Sequence, residues 1–174
     1  MQDTHDNQLL HTDILKDIYS PVHVLIESQS DSVRKAHLVD GLGVSRTYAI
    51  TRFHPHSWTH ELAGIAAKIR LGKSIGETFR SHGYRMSKKL LCTMKVSLSE
   101  RLRERMGTTQ PAGTLRQYVL IVEADGRKPV SFATITEIYT AELSEALERD
   151  YLLEYTYSVA PRYTIDFKDE VLLT

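Results

Sequence analysis

Apolar and polar residues alternate with a period of two in two pairs of neighbouring stretches. The first pair is VRKAHLV (33–39) and VSRTYAITRF (44–53), separated at Asp40-Gly41. The second is LRQYVLIVE (115–123) and PVSFATITEIY (129–139), separated at Asp125-Gly126. A two-residue period marks a strand with one buried face, and Asp-Gly supplies the positive φ of a tight turn, so each pair reads as a β-hairpin. VHVLI (22–26), forced into an extended path by Pro21, and RMSKKLLCTMKV (85–96) read as further strands, and YTIDF (163–167) as a strand-like tail.

Elsewhere the period lengthens to that of a helix. Trp58, Leu62, Ile65, Ala66 and Ile69 recur at helical spacing over 58–70, with Ser57 as N-cap. Ser74-Ile75-Gly76-Glu77 and Ser97-Leu98-Ser99-Glu100 are spaced as capping boxes. The first predicts a helix that stops at His82-Gly83 and the second a helix that Gly107 closes. A short helix is expected from Thr12 and a longer one from Ala141 to about 155, while the polar residues 1–9 are expected to fray.

The hairpins repeat one another. Ala49-Ile50-Thr51-Arg52 follows Asp40-Gly41 at the offset at which Thr134-Ile135-Thr136-Glu137 follows Asp125-Gly126, and each strand leads to a helix beginning near Glu-Leu (61–62 and 142–143). Two hairpin-plus-helix units sharing a sheet give an α+β fold: one antiparallel sheet with the helices packed on one face. Arg52 and Glu137 then hold equivalent places. The expected organisation is one domain over 1–174, with 141–174 as an extra C-terminal helix and strand.

Composition narrows the function. With 22 basic and 22 acidic residues the formal net charge is zero, so no general nucleic-acid surface is expected. A single cysteine, Cys92, excludes an internal disulfide framework. No apolar run approaches the roughly 18 residues of a membrane span, and the N-terminus lacks the regions of a signal peptide. A cytoplasmic protein is expected. Neither a P-loop, a Gly-x-Gly-x-x-Gly nor a Cys-x-x-Cys is present. Cys92 reads as a small buried hydrophobe, and Lys88-Lys89, like the arginines of 101–105, as a solvated face. His54, His56 and His60 lie within seven residues, but Pro55 keeps His56 out of the following helix. They read as residues lining a strand-to-helix corner, at the rim of a pocket, and no metal site is assigned.

LGKSIGETFRSHGYRMSKKLL, followed by RQYVLIVEADGRKPVSFATITEIY, resembles the chorismate lyase-like superfamily, which contains the chorismate-pyruvate lyases and the UTRA effector-binding domains of GntR-type repressors. The matching positions are Gly76, Arg116, Gly126 with Pro129, and Thr136-Glu137, and the likeness spans roughly 22–143. It departs from the lyases after Glu137, where Ile-Tyr-Thr stands in place of a Phe-Leu-Pro-like ending, and the tail from Ala141 has no clear counterpart.

The resemblance implies a cofactor-independent protein that takes a small-molecule carboxylate. Arg34 (with Lys35 as fallback) and Arg116 would clamp carboxylates, Arg being the side chain suited to bidentate pairing. Glu137 would accept a proton near ring position 4 or the hydrogen of the product hydroxyl, provided that burial raises its pKa or a nearby Arg holds it. Tyr118 and Thr136 could face the ligand, with Arg52 as a further binding residue. The lyase reading implies cleavage of chorismate to 4-hydroxybenzoate and pyruvate. A UTRA-like reading implies an effector-binding domain without its own DNA-binding part, since few residues precede Val22. A third reading is a family member kept for assembly.

Overall fold

The computed structural model describes residues 10–151 and the pair Thr164–Ile165. Helix α1 (His11–Tyr19) leads into strands β1 (Val22–Gln29), β2 (Val33–Asp40) and β3 (Ser45–Phe53). After a 3-10 turn (Pro55–Ser57) come helices α2 (His60–Arg70) and α3 (Ile75–Ser81), strand β4 (Arg85–Leu98) and helix α4 (Glu100–Met106). Strands β5 (Ala112–Glu123) and β6 (Val130–Thr140), helix α5 (Ala141–Tyr151) and strand β7 (Thr164–Ile165) complete the order. The strands form one sheet in the order β1-β2-β3-β6-β5-β4-β7, antiparallel except where β7 pairs with Ser97 and Leu98 of β4. The expected frayed segment 1–9 and the ends of the predicted α5 and tail strand lie outside the described residues.

The α+β class and the two hairpin-plus-helix units are as the sequence predicts. They meet through β3 and β6, with Ala49 opposite Glu137 and Arg52 opposite Thr134. The helices are not confined to one face. On one face α2 and α3 bury Leu62, Ile65, Ile69 and Phe79 against Leu120, Ile135 and their neighbours, while α1 and α5 bury Ile14, Leu15, Leu143 and Leu147 around Tyr139. On the other face α4 buries Leu102 and Met106 against Tyr48, Leu115 and Ile138. The reason is parity: Leu115 and Ile138 alternate with Arg116 and Glu137, so both faces of the central strands carry apolar positions and each needs a cover.

Two helices, α2 and α4, start two residues later than the sequence suggests. Thr59, not Ser57, caps α2 by accepting from the Leu62 N–H, and Ser99, not Ser97, caps α4 by accepting from the Leu102 N–H. Ser57 instead donates to the carbonyls of His54 and Ser131, which fastens the corner to β6. At Ser74 the capping side-chain bond is not made; its carbonyl accepts from the Thr78 hydroxyl at 2.6 Å. Gly107 ends α4 at φ +61°, as its sequence position implies. In the first hairpin the positive φ falls on Gly43 rather than Gly41, with the Asp40 carboxylate accepting from the Leu42 and Val44 N–H groups and pairing with Arg46. Among the described residues no helix is long and apolar enough to cross a membrane.

Phe132 anchors the larger core. It is fully buried, its ring stacks on Trp58 at 4.9 Å, and it meets Phe79 edge-on at 4.7 Å and Phe53 edge-on at 5.8 Å. Phe132→Ala removes that ring from a dense aromatic cluster, so it is expected to cost about 3–5 kcal/mol. Urea denaturation measures this directly, and a loss below about 1 kcal/mol would mean that the cluster collapses to fill the gap.

Candidate functional site

Between the α2/α3 core and the α1/α5 core the sheet face is left partly uncovered, and a pocket of about 660 Å³, open solvent at its mouth included, occupies the gap. Its floor is strand residues, among them the apolar Ala36, Ala49, Leu120 and Ile135. Its roof is the starts of α1 and α3, where Leu10 lies against Gly76 and Ile75. A Cβ on Gly76 would stand 2.5 Å from Leu10 Cδ1, so a side chain there would push Leu10 aside. Two exposed ion pairs, Asp13 with Arg80 and Lys16 with Glu77, join α1 to α3 beside this contact. Such pairs contribute little stability but fix the relative register of the two helices.

Five polar side chains enter this apolar setting from the sheet: Arg34, Thr51, Lys88, Tyr118 and Glu137. Arg34, on β2, is 4% exposed. Its Nη1 donates to the carbonyls of Ile69 at 3.1 Å and Lys73 at 3.2 Å, at the end of α2 and in the loop beyond. The unpaired carbonyls of a helix C-terminus favour a cation there. Burial lowers the guanidinium pKa to about 10, which leaves it charged at neutral pH. Arg34 Nε is buried and has no hydrogen-bond partner in the protein.

Glu137, on β6, is 5% exposed. Its Oε1 accepts from the Tyr118 hydroxyl at 2.7 Å, while Oε2 is buried with no protein partner. Desolvation pushes its pKa up, but the neighbouring His11, Lys88 and Arg116 and the Tyr118 bond outweigh it, and the carboxyl is held below its ordinary value. The group is therefore an ionised acceptor, not a neutral acid. Tyr118 is its complement: burial first, then Glu137, pushes the phenol well above its usual range and keeps its proton on.

The structure thus brings together Arg34, Tyr118 and Glu137 of the residues singled out from the sequence. Arg116 stands beside the pocket as the cross-strand neighbour of Glu137, with its Nε buried and unpaired, and acts on Glu137 through its charge. Arg52 and Thr136 do not join them. Both alternate with pocket-facing residues, Arg52 with Thr51 and Thr136 with Ile135 and Glu137, and so project from the other face, where Thr136 accepts from Gln117. Lys35, the fallback for Arg34, likewise alternates away from the pocket between Arg34 and Ala36. Nor do the histidines form a rim. His54 engages the Ser131 and Thr134 hydroxyls through both ring nitrogens, and His56 and His60 are exposed. Among the described residues no group of three or more His, Cys, Asp or Glu is placed to hold a metal ion.

Two pocket residues are absent from the sequence-based set. His11 is buried at the start of α1, where Nε2 meets the Thr47 hydroxyl at 2.8 Å and the ring stacks on Tyr139. Desolvation lowers its pKa, which favours the neutral ring. Lys88, expected on a solvated face, is on β4 and turns into the pocket while Lys89 is exposed. The alternation of Met86 and Lys88 with exposed Ser87 and Lys89 carried that signal; nothing in the sequence around His11 did.

Because the folded state holds Glu137 below its ordinary value of 4.5, its ionisation contributes stability that is present above that value and is lost as the pH falls through the depressed one. Glu137→Gln is expected to be less stable than the native chain at pH 7, with the gap narrowing below pH 4.5. Denaturant titrations across this range decide it, and a gap independent of pH would contradict the assignment. No protein-family model matches this chain, and no curated protein matches its sequence.

Proposed function

We propose that the pocket binds chorismate or a related aromatic carboxylate, and that the protein cleaves chorismate to 4-hydroxybenzoate and pyruvate. One observation carries this reading: a buried guanidinium and a buried carboxylate, each with an unpartnered polar atom, line one apolar pocket. Desolvated and incompletely paired, both would gain from a ligand that supplies an anion at one end and a hydroxyl at the other. An aromatic ring suits the apolar floor between them.

In this reading Arg34, fixed by its two carbonyl contacts, receives the ring carboxylate. Glu137 Oε2 faces ring position 4. As the C3–O ether bond breaks, the hydrogen at C4 leaves as a proton toward a carboxylate acceptor and its electron pair completes the aromatic ring. Enolpyruvate departs and tautomerises to pyruvate. The gain of aromaticity drives the step, so the protein's task is to hold the substrate in a reactive conformation. Tyr118 keeps the carboxylate aligned, and Arg116, Lys88 and the roof helices keep it ionised in a dry site.

A second reading, a non-enzymatic effector-binding domain like UTRA, draws support from the lowered pKa of Glu137, which makes it a weak base. Ultraviolet detection of 4-hydroxybenzoate from chorismate separates the two. The lyase reading expects turnover by the native protein and loss of at least a hundredfold in kcat for Glu137→Gln, with 4-hydroxybenzoate still bound. Absence of turnover with a ligand-induced rise in Tm supports the sensor, and full activity of Glu137→Gln removes its assigned role.

A further inference from the structure

Among the described residues both ends of the sheet are open: no strand pairs with the outer side of β1, and β4 meets β7 only at Ser97 and Leu98. An open edge offers unpaired backbone N–H and C=O groups to another strand, and proteins commonly guard it with lysines. β4 is guarded in this way. It carries Arg85, Lys88, Lys89 and Lys95 and no acidic residue, so a second copy laid against it meets its own charge. β1 (VHVLIESQ) holds no lysine or arginine, and its Leu25 is 42% exposed. The bulge in β1 lies between Ile26 and Ser28, past the apolar run Val24-Leu25-Ile26.

Pairing with β2 fixes the faces of β1. Val24 and Ile26 stand opposite Leu38 and Ala36, which line the pocket, while His23 and Leu25 stand opposite Val39 and His37 on the other face. Glu27 shares that other face, with Oε2 3.9 Å from His37 Nε2. Two antiparallel copies related by a twofold axis through the sheet keep their faces, so only residues of one face can stand opposite each other. Along the apolar run the axis can pass through Val24, Leu25 or Ile26. Through Val24 it sets His23 against the partner's Leu25, and through Ile26 it sets Leu25 against the partner's Glu27. Through Leu25 every position matches: Leu25 meets its own copy, Val24 meets the partner's Ile26, and the His23 imidazole meets the partner's Glu27.

We infer that this chain forms a twofold dimer through β1, antiparallel about Leu25, which joins two sheets into one. Main-chain hydrogen bonds along the shared edge supply affinity, and the side-chain pairs fix the register. Val24 lines the ligand pocket, so the partner's Ile26 extends the apolar surface beside it across the axis. The dimer does not depend on which ligand the pocket takes.

Sedimentation equilibrium of the full chain at rising concentration should show monomer and dimer in exchange. Leu25→Lys sets two ammonium groups opposite each other and should raise the dimer Kd about tenfold or more, and Leu25→Glu should do the same. An equimolar mixture of the two variants should recover the dimer, because opposite charges then face each other; mixing could not mend misfolded chains. In a Cys92→Ser background, Leu25→Cys should be joined to its twin by a short bis-maleimide. Leu90→Cys, equally exposed at 42% but on β4, should not. The inference is overturned by a chain that stays monomeric, by a dimer that both charged variants leave intact, or by variants that do not recover on mixing. Cross-linking through Leu90→Cys rather than Leu25→Cys would overturn it too.

Discussion

Two ionised side chains, Arg34 and Glu137, are buried on one face of an antiparallel sheet, and much of the local structure answers to that constraint. Removing a charge from water is costly unless hydrogen bonds and opposite charge replace the lost hydration. Arg34 is met by carbonyls at the end of α2, so the packing of that helix and the following loop is tied to its guanidinium. Glu137 is met by Tyr118 and by the positive field of Lys88 and Arg116. Neither compensation is complete, since Arg34 Nε and Glu137 Oε2 are left without protein partners. A site whose polar atoms are satisfied only in part is suited to a ligand that completes the set.

The sheet order explains how such a site arises. Pairing β3 with β6 joins two hairpin units at their second strands, so residues far apart in the chain share one surface. Arg34 and Thr51 come from the first unit, Tyr118 and Glu137 from the second, and Lys88 from the strand that edges it. The helices that cover this face divide into two groups with separate cores, and the pocket is the seam between them. Its roof is thin: the first turns of α1 and α3, joined by Leu10 against Gly76 and by surface ion pairs.

Much of the fold is legible in the sequence because a period of two survives in the residue order of its strands. The helices are legible for the same reason, although Thr59 and Ser99 cap them in place of Ser57 and Ser97. Which side of the sheet a residue faces is harder to read. The register centres the first turn on Leu42 and the second on Gly126, so counting from each Asp-Gly misaligns the hairpins by one residue. One residue is enough to turn Arg52 away from the face that carries Glu137. Arg34, Tyr118 and Glu137 were legible through the resemblance and through alternation. The second helical cover was not, because both faces of β5 and β6 are apolar enough to need one. His11 enters the site only through the tertiary docking of α1, which no local pattern encodes.

The central claim is that Arg34 and Glu137 bind the two ends of one ligand. A crystal structure of the protein with 4-hydroxybenzoate tests it most directly. The ligand carboxylate is expected within hydrogen-bond distance of Arg34 Nε and the hydroxyl within reach of Glu137 Oε2, with the ring on the apolar floor between them. A ligand seated elsewhere, or one in the pocket that leaves both atoms unpartnered, would contradict the account.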